Sequence, residues 1–521
     1  MKSKILILPT AFLFCFLVGF SYLKLATPGY LTFSDSAKYA DAGRYLSESG
    51  FPAKVHHSFF DQNLLSDYVQ DNLWPADLFP LPMILFAGLF KILPPSDLTI
   101  GITGLSIFAL TGSLIFWFAF SRHSLASGVI SIILFVFNLN VLDYSVNSTT
   151  EIIFMLEISL LVFLISKKFP FNLLTIIPIL TMFLTRYQAL LVLIALGIII
   201  PLQIKSSIKT RTLMFLGVFS LIALTLIISK RFQLSPISPL KTVGSFHVST
   251  ETSQANILRG VPDKNLDFGQ FFKKVFYNLY NFLRAPERIA PPLVLGFFLI
   301  GLFNKQKPEI QTLSHFSVIS ITLFLLASSA TIPNARYVHP LIPLLVPLSA
   351  ISIVDHVKSK KQGIYKLVFI ILFILASPIG HIFVDYRFRN QFQNIGMPPV
   401  YKIISDKLSS QIPQGKLVIT NLDAWAGWYH GLTTMWFPLS PEVLESIKLP
   451  TNTIDYIAIS SYLEENKDFS LGGWKDILYK PNGLPPHLAA NYEILTTIKI
   501  DASENYENQD IKLVILQKNK Q

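Results

Sequence analysis

Long apolar runs recur along most of this chain, and they leave it few folds to choose from. They lie at about residues 5–26, 98–120, 125–142, 151–166, 169–185, 187–203, 212–229, 289–304, 313–332, 337–354 and 367–384. Many approach the roughly 20 residues that a helix needs to cross a bilayer. In hydrocarbon every backbone N–H and C=O must be paired internally, so such runs specify a bundle of transmembrane helices. Composition agrees, with 51% hydrophobic and 14% charged among 521 residues, against about 25% charged in soluble domains. The expected fold class is mainly α, a polytopic bundle of about 11–13 helices.

The formal net charge is +11, and its basic residues cluster in short connections: Lys167-Lys168, Lys205 to Arg211, Lys305 to Lys307 and Lys358 to Lys361. This is the positive-inside pattern. No basic stretch is interleaved with aromatics, so a nucleic-acid surface is not indicated. The one cysteine, Cys15, lies inside the first run, which rules out an intrachain disulfide and a cysteine zinc site. Lys2 and Lys4 precede a run too long for a signal peptide and without a small-residue cleavage site. It reads as an uncleaved first span that starts in the cytoplasm.

Parity then constrains the topology. Residues 78–95 form a short segment with Pro80, Pro82, Pro94 and Pro95. Counting it as a span gives about twelve crossings and sets the basic loops against the amino terminus. Treating it as re-entrant or interfacial gives about eleven and removes the conflict. The expected protein is therefore an integral, multi-pass plasma-membrane protein with its amino terminus in the cytoplasm. A first outer loop at 27–77, a second long outer loop at 230–288 and residues 386–521 face outward. The division is a membrane domain at 1–385 and a small extracytoplasmic α/β domain at 386–521. In the latter, Lys416–Thr420, Ile454–Ile459 and Ile511–Leu516 read as strands, with Trp425–Tyr429 and Trp436-Phe-Pro438 as loops.

The outer loop at 27–77 carries Asp35, Asp41, Glu48, Asp61, Asp67, Asp71 and Asp77, and is too long for a mere connector. Ser34 reads as an N-cap and Gly50 as a stop, so residues 35–48 are expected to be helical. Asp35 falls in the first turn, where the helix dipole and free N–H groups favour a carboxylate. Tyr39 and Leu46 follow at helical spacing.

Three further ionisable residues fall at outer span ends: Arg186 in Phe183-Leu-Thr-Arg-Tyr187, Arg336 in Asn334-Ala-Arg-Tyr-Val-His-Pro340, and Glu151 after Asn147-Ser-Thr-Thr. Singly, snorkelling accounts for the arginines and a first-turn helix charge for Glu151. Together with Asp35 they suit transfer from a lipid-phosphate donor. Arginine binds phosphate in a bidentate fork, and an acceptor hydroxyl needs a base, which an aspartate supplies. A transporter would instead carry several ionisable groups midway along its helices. Glu157 is the clearest, with Lys91 in a doubtful segment.

The chain at this point resembles the GT-C superfamily of glycosyltransferases, in the branch of protein O-mannosyltransferases and aminoarabinose transferases. Asp35-x-x-x-Tyr39 with Ala40 and Leu46 resembles that branch's catalytic loop. Leu78-Phe-Pro-Leu-Pro82 resembles its proline-rich segment, without the usual consecutive prolines. Tyr144-Ser145 and Thr150-Glu151 resemble its next outer loop, Thr185-Arg186 and Arg336-Tyr337-x-x-Pro340 its later arginine positions. Asp423, Trp428 and Tyr429 after a strand resemble its capping domain.

The resemblance implies a polyprenyl-phosphate sugar donor, an extracytoplasmic acceptor (lipid, glycan or protein) and an inverting transfer. Asp35 maps to the catalytic base. Arg336, Arg186, Tyr39, Tyr337, Glu151 and Asp77 are the expected substrate- and phosphate-binding residues. The family's second acidic residue beside the first is absent, since Ser36 follows Asp35. No metal site is assigned, although the family's uneven use of divalent metals leaves room for one. Two other readings stand beside this one: a lipid-linked glycan polymerase or ligase, and a transporter or flippase of lipid-linked sugars.

Overall fold

The computed structural model describes residues 2–25, 27–50, 78–165, 173–203, 268–304, 307–358, 396–437, 454–464, 471–480 and 484–519, with isolated residues between them. The expected runs at 212–229 and 367–384, the 385/386 boundary, Asp77 and residues 230–267 lie largely or wholly outside these.

Within them the chain is mostly helical. Ile7–Leu25, Asp97–Arg122, Pro308–Ala330 and Ala335–Val357 are long and apolar enough to cross a membrane. The run expected at 125–142 is two helices, Leu125–Val136 and Leu139–Val146, bent by 65°. The break has a local cause: the Asn138 side chain accepts from the Val141 N–H at 3.3 Å and starts a new helix. The Pro80–Phe90 helix has 11 residues, about 16 Å at helical rise, well short of a bilayer core of about 30 Å.

The expected helix at 35–48 runs from Ser34 to Ser49. Ser34 is its first residue rather than its cap, because Phe33 holds the extended N-cap conformation. Gly50 ends it with φ 77° and donates to the Leu46 carbonyl at 3.2 Å, the left-handed stop that glycine adopts without strain. Gly43 lets the helix approach its neighbour closely: a Cβ there would stand 2.6 Å from Phe86 Cβ and 3.2 Å from the Ala87 nitrogen.

The carboxy-terminal part holds a five-stranded mixed sheet. Its strands are β1 (Leu417–Thr420), β2 (Thr433–Trp436), β3 (Tyr456–Ser460), β4 (Tyr492–Ile500) and β5 (Ile511–Lys518), in the order β2-β1-β3-β5-β4. β1 runs parallel to β2 and β3, and β5 antiparallel to β3 and β4. Two sequence expectations need correction. Trp425–Tyr429 is not a loop but part of the Asp423–His430 helix, and Trp436 ends β2. In that helix Trp425, Trp428 and Tyr429 share one face at i, i+3 and i+4, and what they dock on sets their conformation.

They dock on the membrane part. Trp425 Nε1 donates to the Leu31 carbonyl at 3.0 Å. Trp428 Nε1 and the Tyr429 hydroxyl donate to the two Asp97 oxygens at 2.5 and 2.9 Å. Arg44 donates to the carbonyls of Trp428 and Gly427 at 2.9 and 3.0 Å, and its other partner is the buried Asp41. The Ser34–Ser49 helix is thus held between the Pro80–Phe90 and Asp423–His430 helices. Ala37, Ala40 and Ala42 join Trp425, Trp428 and Tyr401 in one continuous core. Small residues on the helix are what allow both neighbours so close.

Candidate active site

Four segments far apart in sequence meet at the start of the Ser34–Ser49 helix. The Thr150–Ile165 helix supplies Glu151 from its first turn, and the turn after Leu173–Thr185 supplies Arg186. The 3-10 turn Ala335–Tyr337 supplies Arg336. In that turn Asn334 caps the backbone, accepting from the Arg336 N–H at 3.0 Å.

Glu151 is the hub. Its Oε1 lies 2.7 Å from Arg186 Nη1 and 3.0 Å from Arg336 Nε, and its side chain is only 1% exposed. A carboxylate that deep is tolerable only when paired and hydrogen-bonded, and two guanidinium groups do this. Arg186 is buried as well. It also donates to Thr150 Oγ1 at 2.8 Å and Gln188 Oε1 at 3.1 Å. Its guanidinium lies 5.6 Å from the Tyr337 ring centre.

Arg336 points the other way along the same network. Its Nη2 reaches Asp35 Oδ2 at 3.2 Å, with side chains 27% and 53% exposed. Its guanidinium stacks 5.0 Å from the Phe33 ring centre, a cation–π contact that fixes its plane. Asp35 is therefore the accessible end of a chain of charges that begins in the core, Arg186–Glu151–Arg336–Asp35.

Aromatic and imidazole groups support this chain. Tyr144 packs against Phe33 with ring centres 6.2 Å apart, and its hydroxyl hydrogen-bonds His339 Nδ1 at 2.7 Å. The Tyr39 hydroxyl accepts from the Phe79 N–H at 3.2 Å, and burial pushes its phenol above the usual range. Tyr39 thus ties the helix to the start of the Pro80–Phe90 segment.

Of the residues expected from sequence, Asp35, Glu151, Arg186 and Arg336 converge, with Tyr337 beneath Arg186 and Tyr39 behind Asp35. Asp77 lies outside the described residues. Asp41 is turned away and held by Arg44. Sequence reasoning missed Phe33, His339 and Lys38 as site neighbours. Lys38 Nζ lies 3.4 Å from Asp423 Oδ2 and 5.6 Å from the Trp436 ring centre. Its position one turn after Asp35 was the available signal.

Among the described residues, no three His, Cys, Asp or Glu side chains are grouped so as to hold a metal. Asp35 and Glu151 are both engaged by Arg336, a donor set that does not fit a divalent cation as it stands.

No family model matches the chain, and no curated protein matches its sequence. Solved structures do match. ArnT from Cupriavidus metallidurans bound to undecaprenyl phosphate superposes with a TM-score of 0.53 at 9% identity, covering 99% of this chain and 98% of that one. Its apo state gives 0.50 at 12% identity over the same shares. The Archaeoglobus fulgidus oligosaccharyltransferase tethered with an acceptor peptide gives 0.52 at 10% identity, covering 92% of this chain and 73% of that one. The likeness to ArnT covers nearly the whole of both chains, and the chain shares the fold of these solved structures.

Proposed function

We propose that this chain is an integral membrane glycosyltransferase, moving a sugar from a polyprenyl-phosphate donor to a hydroxyl of an extracytoplasmic acceptor with inversion. The observation that carries the reading is the Arg336 bridge between the accessible Asp35 and the buried Glu151. It sets a carboxylate beside a guanidinium, the group types that a base and a phosphate-binding fork require. The ArnT structure named above holds undecaprenyl phosphate, and the oligosaccharyltransferase holds an acceptor peptide. Both agree with a lipid-phosphate donor and an acceptor in general terms.

The reaction is a single displacement. The acceptor oxygen attacks the anomeric carbon as Asp35 takes its proton. The bond from that carbon to the phosphate oxygen breaks, and its electron pair leaves with the lipid phosphate. Arg336 stabilises the charge that develops there. In this reading Arg186 is a positioning residue, with its Nε and Nη1 donors held by Gln188, Thr150 and Glu151. Glu151 fixes the plane of Arg336, and Tyr337 and Tyr39 hold the two arms of the site. Arg336 also has an exchange to make: an incoming phosphate competes for the guanidinium and frees Asp35 to act as base.

In this reading residues 1–385 form the membrane domain and 386–521 the domain over its outer face. The amino terminus is cytoplasmic. Asp77 and the rest of the 51–77 segment belong to the first outer loop of the chain.

The test is transfer in proteoliposomes from a panel of labelled polyprenyl-phosphate sugars, with native membrane extract as acceptor source. Labelled product of opposite anomeric configuration supports the reading. Retained configuration contradicts the single displacement. Label that crosses the bilayer without forming product contradicts the enzyme and favours the flippase.

A further inference from the structure

The Phe268–Arg284 helix has its faces reversed relative to a helix on a water-soluble protein. Phe268, Phe272, Phe276 and Tyr280 recur at every fourth residue, and all are exposed, with Tyr277 and Leu283 beside them. The buried stripe is Lys274, Asn278 and Phe282, so it carries the polar groups. Water would select the opposite arrangement, with the aromatic stripe inward. An exposed row of this size on an ordered helix marks a surface that meets something apolar.

The surroundings identify what it meets. The helix packs on Pro308–Ala330, and Asn278 Nδ2 donates to the Ser329 carbonyl at 3.0 Å in that helix's last turn. Pro308–Ala330 is itself long and apolar enough to cross a membrane, and it exposes Val318 and Leu326. The neighbouring Pro292–Leu302 helix exposes Leu299 and Ile300. The helix that carries the aromatic row thus packs on a helix that exposes apolar side chains of its own. The helix has no acidic residue, and Lys273 and Arg284 are exposed on it, a charge suited to anionic headgroups. Phenylalanine and tyrosine are the side chains that settle between headgroups and acyl chains.

We propose that the Phe268–Arg284 helix is a membrane-surface element, seated with Phe268, Phe272, Phe276 and Tyr280 in the headgroup–acyl boundary of a bilayer containing anionic lipid. It reaches the bilayer at the end of Pro308–Ala330 that leads directly into Asn334–Tyr337. The lipid contact therefore sets the height of the Arg336 turn relative to the membrane surface. The proposal does not depend on which reaction the chain performs.

Cys15 is the only cysteine and is buried, which makes site-directed spin labelling practical. In a Cys15→Ala background, Phe272→Cys, Phe276→Cys and Tyr280→Cys are labelled singly in phosphatidylcholine–phosphatidylglycerol vesicles. Lys499→Cys, on the exposed β4, serves as the aqueous reference. Accessibility is read by power saturation with oxygen and with a water-soluble nickel complex. The expected result is an oxygen-to-nickel ratio well above that of the Lys499 site at all three stripe positions. A ratio equal to the reference places the stripe in water and overturns the proposal. Shielding from both reagents means that protein, not lipid, covers the stripe, and overturns it too. Each stripe position is exposed, so one that disturbs folding leaves two others to decide.

Discussion

Asp35 and Lys38 stand one turn apart on the same helix and face two different parts of the molecule. Asp35 meets Arg336 of the membrane part, with both side chains partly exposed. Lys38 meets Asp423 of the sheet-bearing part, where the aspartate side chain is 4% exposed. An exposed pair is worth about 0.2–1 kcal/mol and is readily exchanged for another partner. A buried pair costs several times more to break, because it strands a charge away from water. The helix is therefore anchored on the Asp423 side and open to substitution on the Arg336 side. The proposed reaction, in which Asp35 gives up its guanidinium to an incoming phosphate, needs both properties.

Mutations can break this comparison from either side. The largest effect is expected on the open side. Asp35→Asn should lower transfer by about 10²–10⁴-fold or more by removing the base, while the thermal midpoint stays near that of wild type. Glu151→Gln comes next. It leaves two guanidinium groups short of their shared carboxylate and should cost about 3–5 kcal/mol, seen as a lowered midpoint together with lost transfer. Arg336→Ala should reduce turnover by about 10²–10³-fold and weaken donor binding. Arg336→Lys should recover little, because an ammonium cannot form the fork.

Smaller effects are expected on the anchored side. Lys38→Met strands Asp423 and should cost about 2 kcal/mol. If the anchor sets the position of Asp35, turnover falls while the KM for donor holds, and Lys38→Arg restores it. A change confined to the midpoint would reduce the pair to a structural role. The smallest effect is expected for Glu157→Gln. Glu157 lies two turns below Glu151 on the same helix, and its partner is the Thr185 hydroxyl at 2.9 Å rather than a cation. The amide keeps that hydrogen bond, so a shift of no more than about 1 kcal/mol and unchanged transfer are expected. Abolished activity there would point to proton movement through the bundle, as a transporter requires.

The sequence was most legible where one local pattern decides the outcome. The 35–48 helix was readable because an acidic first turn and a glycine stop bracket it, and each end moved by one residue. Glu151, Arg186 and Arg336 could be chosen because charges at apolar span ends are costly unless used, and Asp35 because it opens the outer-loop helix. Their connectivity could not. That Glu151 joins the two arginines while Asp35 meets only one is decided by packing between four distant segments. The Asp423–His430 helix was misread because eight residues with two tryptophans and a tyrosine carry little helical propensity. Its conformation follows from docking on Asp97, Leu31 and Arg44. β2 has four residues, and β4 is an edge strand whose register shifts between Ile494 and Thr496. β2 is too short a run to be recognised, and in β4 the shift interrupts the alternation that marks a strand.

The most direct test of the account compares purified wild type with Asp35→Asn in proteoliposomes holding the donor that wild type uses. Initial rates of sugar transfer are measured, with membrane insertion and thermal midpoint checked in both. The account predicts transfer by wild type and none above background by Asp35→Asn, at equal insertion and midpoint. Transfer by Asp35→Asn at a rate close to wild type would contradict it, because the base would then lie elsewhere.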